Sequence, residues 1–233
     1  MRTRLRHVTG ERRHAAAVNR AVNAQKGPAW GAVNASPLTR GADFVPCRAM
    51  SKSPALFLDR DGTIIHDVDF IHNPEDVRLM PGAREALHAC LNSGYKLFIL
   101  TNQSGIGRGY FKTEDYLACH ERLLELLELP APGFTDTKFA PERPDQPSLY
   151  RKPSPRFIHE MIETHGLDPA RSWMVGDRKS DWEAGLNAGI RAAAFTTGGK
   201  PYTPAEEAFC AEKGVVVHPT LADFVRETLG LRF

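Results

Sequence analysis

Long apolar runs are missing from this chain. No stretch of its 233 residues approaches the roughly 20 consecutive apolar side chains of a membrane span, so no membrane partner is expected. Cysteine is scarce as well. Cys47, Cys90, Cys119 and Cys210 are scattered, with no Cys-x-x-Cys spacing. They read as reduced thiols of a cytoplasmic protein and not as a disulfide framework or a zinc site. No internal repeat and no second core segment interrupt the chain, so one folded domain is the simplest organisation.

Acidic residues are missing from one end only. Residues 1–49 carry nine Lys/Arg against Glu11 and Asp43, which leaves 21 basic and 26 acidic side chains in 50–233, a formal −5 hidden beneath the net +2. An acidic body argues against a nucleic-acid partner. The leader mixes Arg, Ala, Asn, Gly and Pro without periodicity and has too few large apolar side chains to offset its ordering entropy. It is read as disordered or as an over-extended start, with the folded domain expected over 50–233. A transit peptide fits less well, since Ser36 is its single serine. A basic arm for an acidic partner is the third reading.

From residue 50 onward, strand alternates with helix. Apolar strands are predicted at 55–58, 96–100, 137–140, 173–175, 192–195 and 215–217. Helical spacing covers 82–93, 113–129 and 221–229. Further helices open at Ser154, Ser180 and the Thr203-Pro204-Ala205-Glu206 capping box. This pattern predicts a three-layer, Rossmann-like α/β fold: a parallel sheet with helices on both faces.

The first strand ends in Asp59-Arg60-Asp61-Gly62-Thr63. Residues i and i+2 of a strand share a side, so Asp59 and Asp61 can face one site at the carboxyl edge, where open α/β sheets bind ligands. Two carboxylates that close need a proton or a cation between them, and a hard divalent ion such as Mg²⁺ suits oxygen ligands and phosphate together. An isolated Asp-x-Asp is usually a solvated turn. The strand before it and the Gly-Thr after it make this one far more specific. Other polar groups reach the same edge: Thr101, Asn102, Gln103 and Ser104 after the second strand, Lys152 in Arg151-Lys152-Pro153, and Asp177 after the fourth, followed by Asp181. Gly105-Ile106-Gly107-Arg108-Gly109 lacks the spacing of a nucleotide fingerprint and reads as a flexible substrate loop. His120 and His159 read as ordinary helix residues.

In order, these four segments resemble the motifs of the haloacid dehalogenase superfamily of phosphatases, over essentially all of residues 54–230. The nearer likeness is to the branch of D-glycero-D-manno-heptose-1,7-bisphosphate and histidinol-phosphate phosphatases. The resemblance implies that Asp59 is a nucleophile forming an aspartyl-phosphate and that Asp61 is the general acid and base. It implies Mg²⁺ held by Asp59, the Asp61 backbone carbonyl and Asp177. Asp181 is either a further member of the metal shell or a helix-start acid. Thr101, Asn102, Gln103 and Ser104 would hold phosphoryl oxygens, and Lys152 would neutralise them. Asp67, Arg108 and Arg151 would meet the rest of the substrate. The branch's zinc-loop positions hold Ala140, Glu142, Ser148 and Tyr150, none a thiolate or imidazole, so no structural zinc is expected. The short gap between the first two motifs leaves no room for a large cap domain.

The function implied is Mg²⁺-dependent hydrolysis of a small phosphorylated metabolite by a monomeric enzyme. A sugar bisphosphate such as heptose 1,7-bisphosphate is the leading substrate. Histidinol phosphate and a polynucleotide 3′-phosphate are the enzymatic alternatives, and a catalytically dead phosphate-binding regulatory domain is the non-enzymatic one.

Overall fold

The computed structural model describes residues 52–196 and 201–233; the expectations for residues 1–49 lie outside the described residues. Six strands form one parallel sheet: β1 (Ala55–Leu58), β2 (Lys96–Asn102), β3 (Phe134–Ala140), β4 (Trp173–Gly176), β5 (Arg191–Phe195) and β6 (Val216–His218). Their order is β3-β2-β1-β4-β5-β6. The chain winds outward from β1 to β3, crosses back, and winds outward again from β4. The reversal beside β1 opens a crevice at the carboxyl ends of β1 and β4.

The helices are α1 (Ala83–Asn92), α2 (Ser104–Gly107), α3 (Thr113–Leu127), α4 (Arg156–His165), α5 (Lys179–Asn187), α6 (Pro204–Lys213) and α7 (Leu221–Glu227). Strand periodicity divides the sheet's side chains between two cores. Leu56, Leu58, Leu97, Ile99 and Val175 pack against α1, α3 and α7. Ala55, Phe57, Phe98, Leu100 and Met174 pack against α4 and α5. Full burial of each large side chain stabilises by about 1.5–3 kcal/mol. Such two-sided burial explains why the inner strands read as unbroken apolar runs rather than alternations. The predicted three-layer fold is therefore the observed one, and among the described residues β1 and β2 are joined without an inserted cap domain.

Three local expectations are corrected. β3 begins at Phe134, three residues before the predicted start. As an edge strand it leaves Asp136 in solvent and lacks a continuous apolar signature. The segment after β2, read as a flexible substrate loop, contains regular structure, since residues 104–107 form the helical turn α2, braced by the Gly107 N–H on the Pro141 carbonyl at 2.9 Å. Ser180 does not cap α5; it lies within the first turn, and Asp181 accepts the Arg178 backbone N–H at 2.9 Å in its place.

Candidate active site

Asp59 and Asp177 leave the ends of the adjacent strands β1 and β4, and the Asp59 N–H still bonds the Val175 carbonyl at 3.0 Å. The chain then folds back at once, with the Arg60 carbonyl accepting the N–H groups of Ile64 at 2.9 Å and Ile65 at 3.1 Å. Gly62 makes that turn possible at φ +80°. A Cβ on it would stand 2.7 Å from the Asp177 carboxylate, so the position needs both a left-handed backbone and an empty side chain.

Lys152 reaches this edge from the far side. Its Nζ lies 2.6 Å from Asp59 Oδ1 and 2.7 Å from Asp181 Oδ1, with all three side chains buried. Asp59, Asp177 and Asp181 each bring one carboxylate oxygen within 4.8 Å of the other two. Burial and the neighbouring carboxylates push Asp59 up to about 6 against the pull of Lys152. Burial, then Asp59 and Asp181, push Asp177 up to about 8. Burial would lower the Lys152 ammonium, but Asp181 and Asp59 outweigh it and hold it above its usual value.

Three buried carboxylates thus face one buried ammonium, and Arg178 approaches Asp177 only to 3.8 Å. Asp177 Oδ1 is enclosed without a hydrogen-bond donor. Excess negative charge with an orphaned oxygen is the donor set a hard divalent cation fits.

Asp61 lies beside this cluster but is held differently. Arg60, wholly buried, donates to it from Nε at 3.2 Å and from NH2 at 2.9 Å. Gln103 Nε2 donates to Asp61 Oδ2 at 2.7 Å and to Thr101 Oγ1 at 2.9 Å. One amide therefore links the first and second motifs and leaves the Thr101 hydroxyl hydrogen free. The Asn102 side chain is engaged with the Lys152 backbone.

Around these groups lies a cleft of about 420 Å³. Asp67, Ser104, Arg108 and Arg151 line it together with Asp59, Asp61, Thr101, Asn102, Gln103, Lys152 and Asp181. Asp177 stands behind, against Gly62. Asp67 is tied to Arg178 at 2.8 Å. The exposed Arg108 has no ion-pair partner among the described residues, while Arg151 donates from NH1 to the Glu142 carbonyl at 3.0 Å. Glu142 and Ser148 bond each other at 2.8 Å, which closes the 140–151 loop.

Sequence reasoning missed Arg60 and Arg178. Strand alternation points Arg60 away from Asp59 and Asp61, and its long side chain curls back. Arg178 follows Asp177 directly and could have been flagged as its counter-charge.

Comparison with known proteins gives a consistent picture. Residues 149–224 match the family described as HAD-hydrolase-like. The chain is 36% identical over 151 residues to the D-glycero-beta-D-manno-heptose-1,7-bisphosphate 7-phosphatase of Rhodopseudomonas palustris, covering 62% of this chain and 84% of that protein. It is 38% identical over 157 residues to the enzyme of the same name from Helicobacter pylori strain J99, covering 66% and 90%. Among solved structures, it is similar to the D,D-heptose 1,7-bisphosphate phosphatase of B. bronchiseptica complexed with magnesium and phosphate. That match has a TM-score of 0.66 and 26% identity, and covers 76% of this chain and 98% of the other.

Proposed function

This chain belongs to the haloacid dehalogenase-like hydrolases and is a phosphatase, and from that premise we propose that it removes the 7-phosphate of a heptose 1,7-bisphosphate in the cytoplasm. The observation that carries this reading is the buried Asp59–Lys152–Asp181 ion pairing beside the orphaned Asp177 oxygen, at the floor of a cleft walled by Arg108 and Arg151.

Asp59 attacks phosphorus through a carboxylate oxygen, and the bond to the sugar oxygen breaks with its electron pair on that oxygen. Asp61 supplies the proton that makes the leaving group an alcohol. Asp61 then takes a proton from water as the water oxygen attacks the aspartyl-phosphate. The phosphorus–Asp59 bond breaks, returning the carboxylate and releasing inorganic phosphate.

Lys152 neutralises charge on Asp59 and on the phosphoryl group. Thr101 donates its free hydroxyl hydrogen to a phosphoryl oxygen, with Asn102, Gln103 and Ser104 around it. Asp59, Asp177 and the Asp61 backbone carbonyl would hold Mg²⁺, with Asp181 beside them. Mg²⁺ when bound offsets the carboxylate charge and that of the phosphoryl oxygens, the electrostatic positioning that phosphoryl transfer chiefly requires. Arg108 and Arg151 would meet the second phosphate, which a monophosphate lacks, and Asp67 a sugar hydroxyl.

Among the described residues no helix is long and apolar enough to cross a membrane. Cys90, Cys119 and Cys210 are free and buried, which suits a reducing compartment.

The test is phosphate release with Mg²⁺ from heptose and hexose bisphosphates, histidinol phosphate and a 3′-phosphorylated oligonucleotide. Strong turnover of the heptose bisphosphate, abolished in Asp59→Asn, is expected. Preference for histidinol phosphate or the oligonucleotide would overturn the assignment of substrate.

A further inference from the structure

Two segments that precede and follow α2 meet at the mouth of the cleft through aromatic side chains. Phe70 and Tyr110 pack edge to face, with ring centroids 4.8 Å apart. Behind them His72 and Phe111 stack at 6.0 Å with an interplanar angle of 11°. The inner pair is anchored, since Phe111 is buried. The outer pair is not: Phe70 is 43% exposed and Tyr110 58%. Large apolar rings left in solvent at a cleft mouth, next to a site, usually mark a binding surface.

Two further features show that this outer pair is built. Phe70 has φ +57°, a left-handed backbone that a bulky residue adopts only under constraint, and its carbonyl is held by His72 Nδ1 at 2.9 Å. Gly105 in α2 leaves the space into which the rings close. A Cβ there would meet Phe111 at 2.2 Å and Phe70 at 2.8 Å. A strained phenylalanine, brought in over a glycine and still left exposed, has no role in the core.

The pair also stands in a particular place. Phe70 lines the cleft that holds Asp59 and Lys152. Tyr110 lines an adjoining depression that shares Arg108 and Pro144 with that cleft. The two rings therefore border the cleft that holds both Asp59 and Arg108, Phe70 from within it and Tyr110 from the depression beside it.

We propose that Phe70 and Tyr110 form an aromatic seat for the carbon skeleton of the departing sugar, selecting ring-bearing sugar bisphosphates over phosphoryl donors without a ring. This rests on the sugar-bisphosphate reading above and adds to it a discriminating element for the part of the substrate that carries no charge. A pyranose ring presents C–H groups on its faces and hydroxyls at its rim. Those faces bury apolar area against an aromatic ring, while the hydroxyls stay in reach of Asp67 and solvent. With phosphoryl groups fixed at Asp59 and Arg108, the ring between them lies against this wall.

The experiment compares kcat/KM for heptose 1,7-bisphosphate with that for acetyl phosphate, which has no ring, in the wild type, Phe70→Gly, Tyr110→Ala and Tyr110→Phe. Glycine suits the left-handed backbone at position 70, so Phe70→Gly removes the ring without adding strain. The expected result is a roughly tenfold fall in the sugar-to-acetyl-phosphate ratio, carried by KM, in Phe70→Gly and Tyr110→Ala, as loss of one stacked ring would give. Tyr110→Phe, which keeps the ring, retains the ratio. An equal fall for both substrates, or no fall for either, overturns the seat while the sugar reading stands. Wild-type turnover of acetyl phosphate without turnover of any sugar bisphosphate overturns both.

Discussion

Asn102 and the backbone of Lys152 exchange two hydrogen bonds. The Lys152 N–H donates to Asn102 Oδ1 at 3.0 Å, and Asn102 Nδ2 donates to the Lys152 carbonyl at 3.2 Å. The ammonium that touches Asp59 is therefore aimed by the end of β2, not by its own loop alone. Asn102→Ala removes both bonds, and misplacement of a catalytic charge by about 1 Å costs about 100-fold. The expected outcome is a kcat loss of roughly 10- to 100-fold with little change in KM. Asn102→Asp keeps the acceptor and falls between the two. Steady-state kinetics check this, and an effect confined to KM would show that Asn102 serves the substrate directly.

Arg60 is buried, with Asp61 as its only anionic partner among the described residues. Asp61→Ala would leave that guanidinium uncompensated, which costs about 3–5 kcal/mol when a buried pair is broken on one side. Because the Asp61 side chain is 18% exposed, the lower end of that range is expected. Adding Arg60→Met should restore much of the stability but none of the activity. Urea unfolding of the two single variants and the double variant separates the roles. Additive losses would mean that the pair contributes nothing.

Magnesium affinity should climb with pH. Asp59 and Asp177 are raised from the ordinary carboxylate value to about 6 and about 8. The metal-free fold is favoured while they are protonated and loses that contribution as pH rises through those two values. A cation binds the deprotonated set, so affinity rises over the same window, by up to tenfold per pH unit for each proton displaced. Calorimetric titrations between pH 5 and 9 in buffers of different ionisation heat should show proton release. A flat profile would place the ion elsewhere.

His120 should make the fold acid-sensitive. Its Nδ1 is enclosed without a partner, and burial, helped by Arg60, depresses the imidazole to about 4. The unfolded chain binds a proton near pH 6.5 that the folded chain refuses. Stability is whole above pH 6.5 and falls between there and pH 4, at no more than about 1.4 kcal/mol per pH unit. His120→Gln should flatten that segment of a melting-temperature profile, and an unchanged slope would assign it to the carboxylates.

The inner strands were legible because burial on both faces writes them as apolar runs, Ala55–Leu58 most clearly. β3 was half legible because edge exposure tolerates Thr135 and Asp136. α2 was illegible because its two glycines oppose a helix, and only the tertiary bond from Gly107 to Pro141 and the packing of aromatic rings at Gly105 explain it. The residues of the cleft floor could be read from motif spacing. Their partners could not, since no pattern distinguishes a buried arginine such as Arg60 from a solvated one.

The reversed winding of the sheet also sets an order in time. The Ala55 backbone N–H bonds the Ser172 hydroxyl at a sequence separation of 117, because β1 is flanked by a strand made far later. At about 5–20 residues per second of synthesis, on the order of 10 s pass before β1 gains its second neighbour. Asp59 stands through that interval without Asp177 or Asp181, whereas Lys152 is made before Ser172 appears. The growing chain is therefore spared its carboxylate crowding until the lysine that offsets it has already been made.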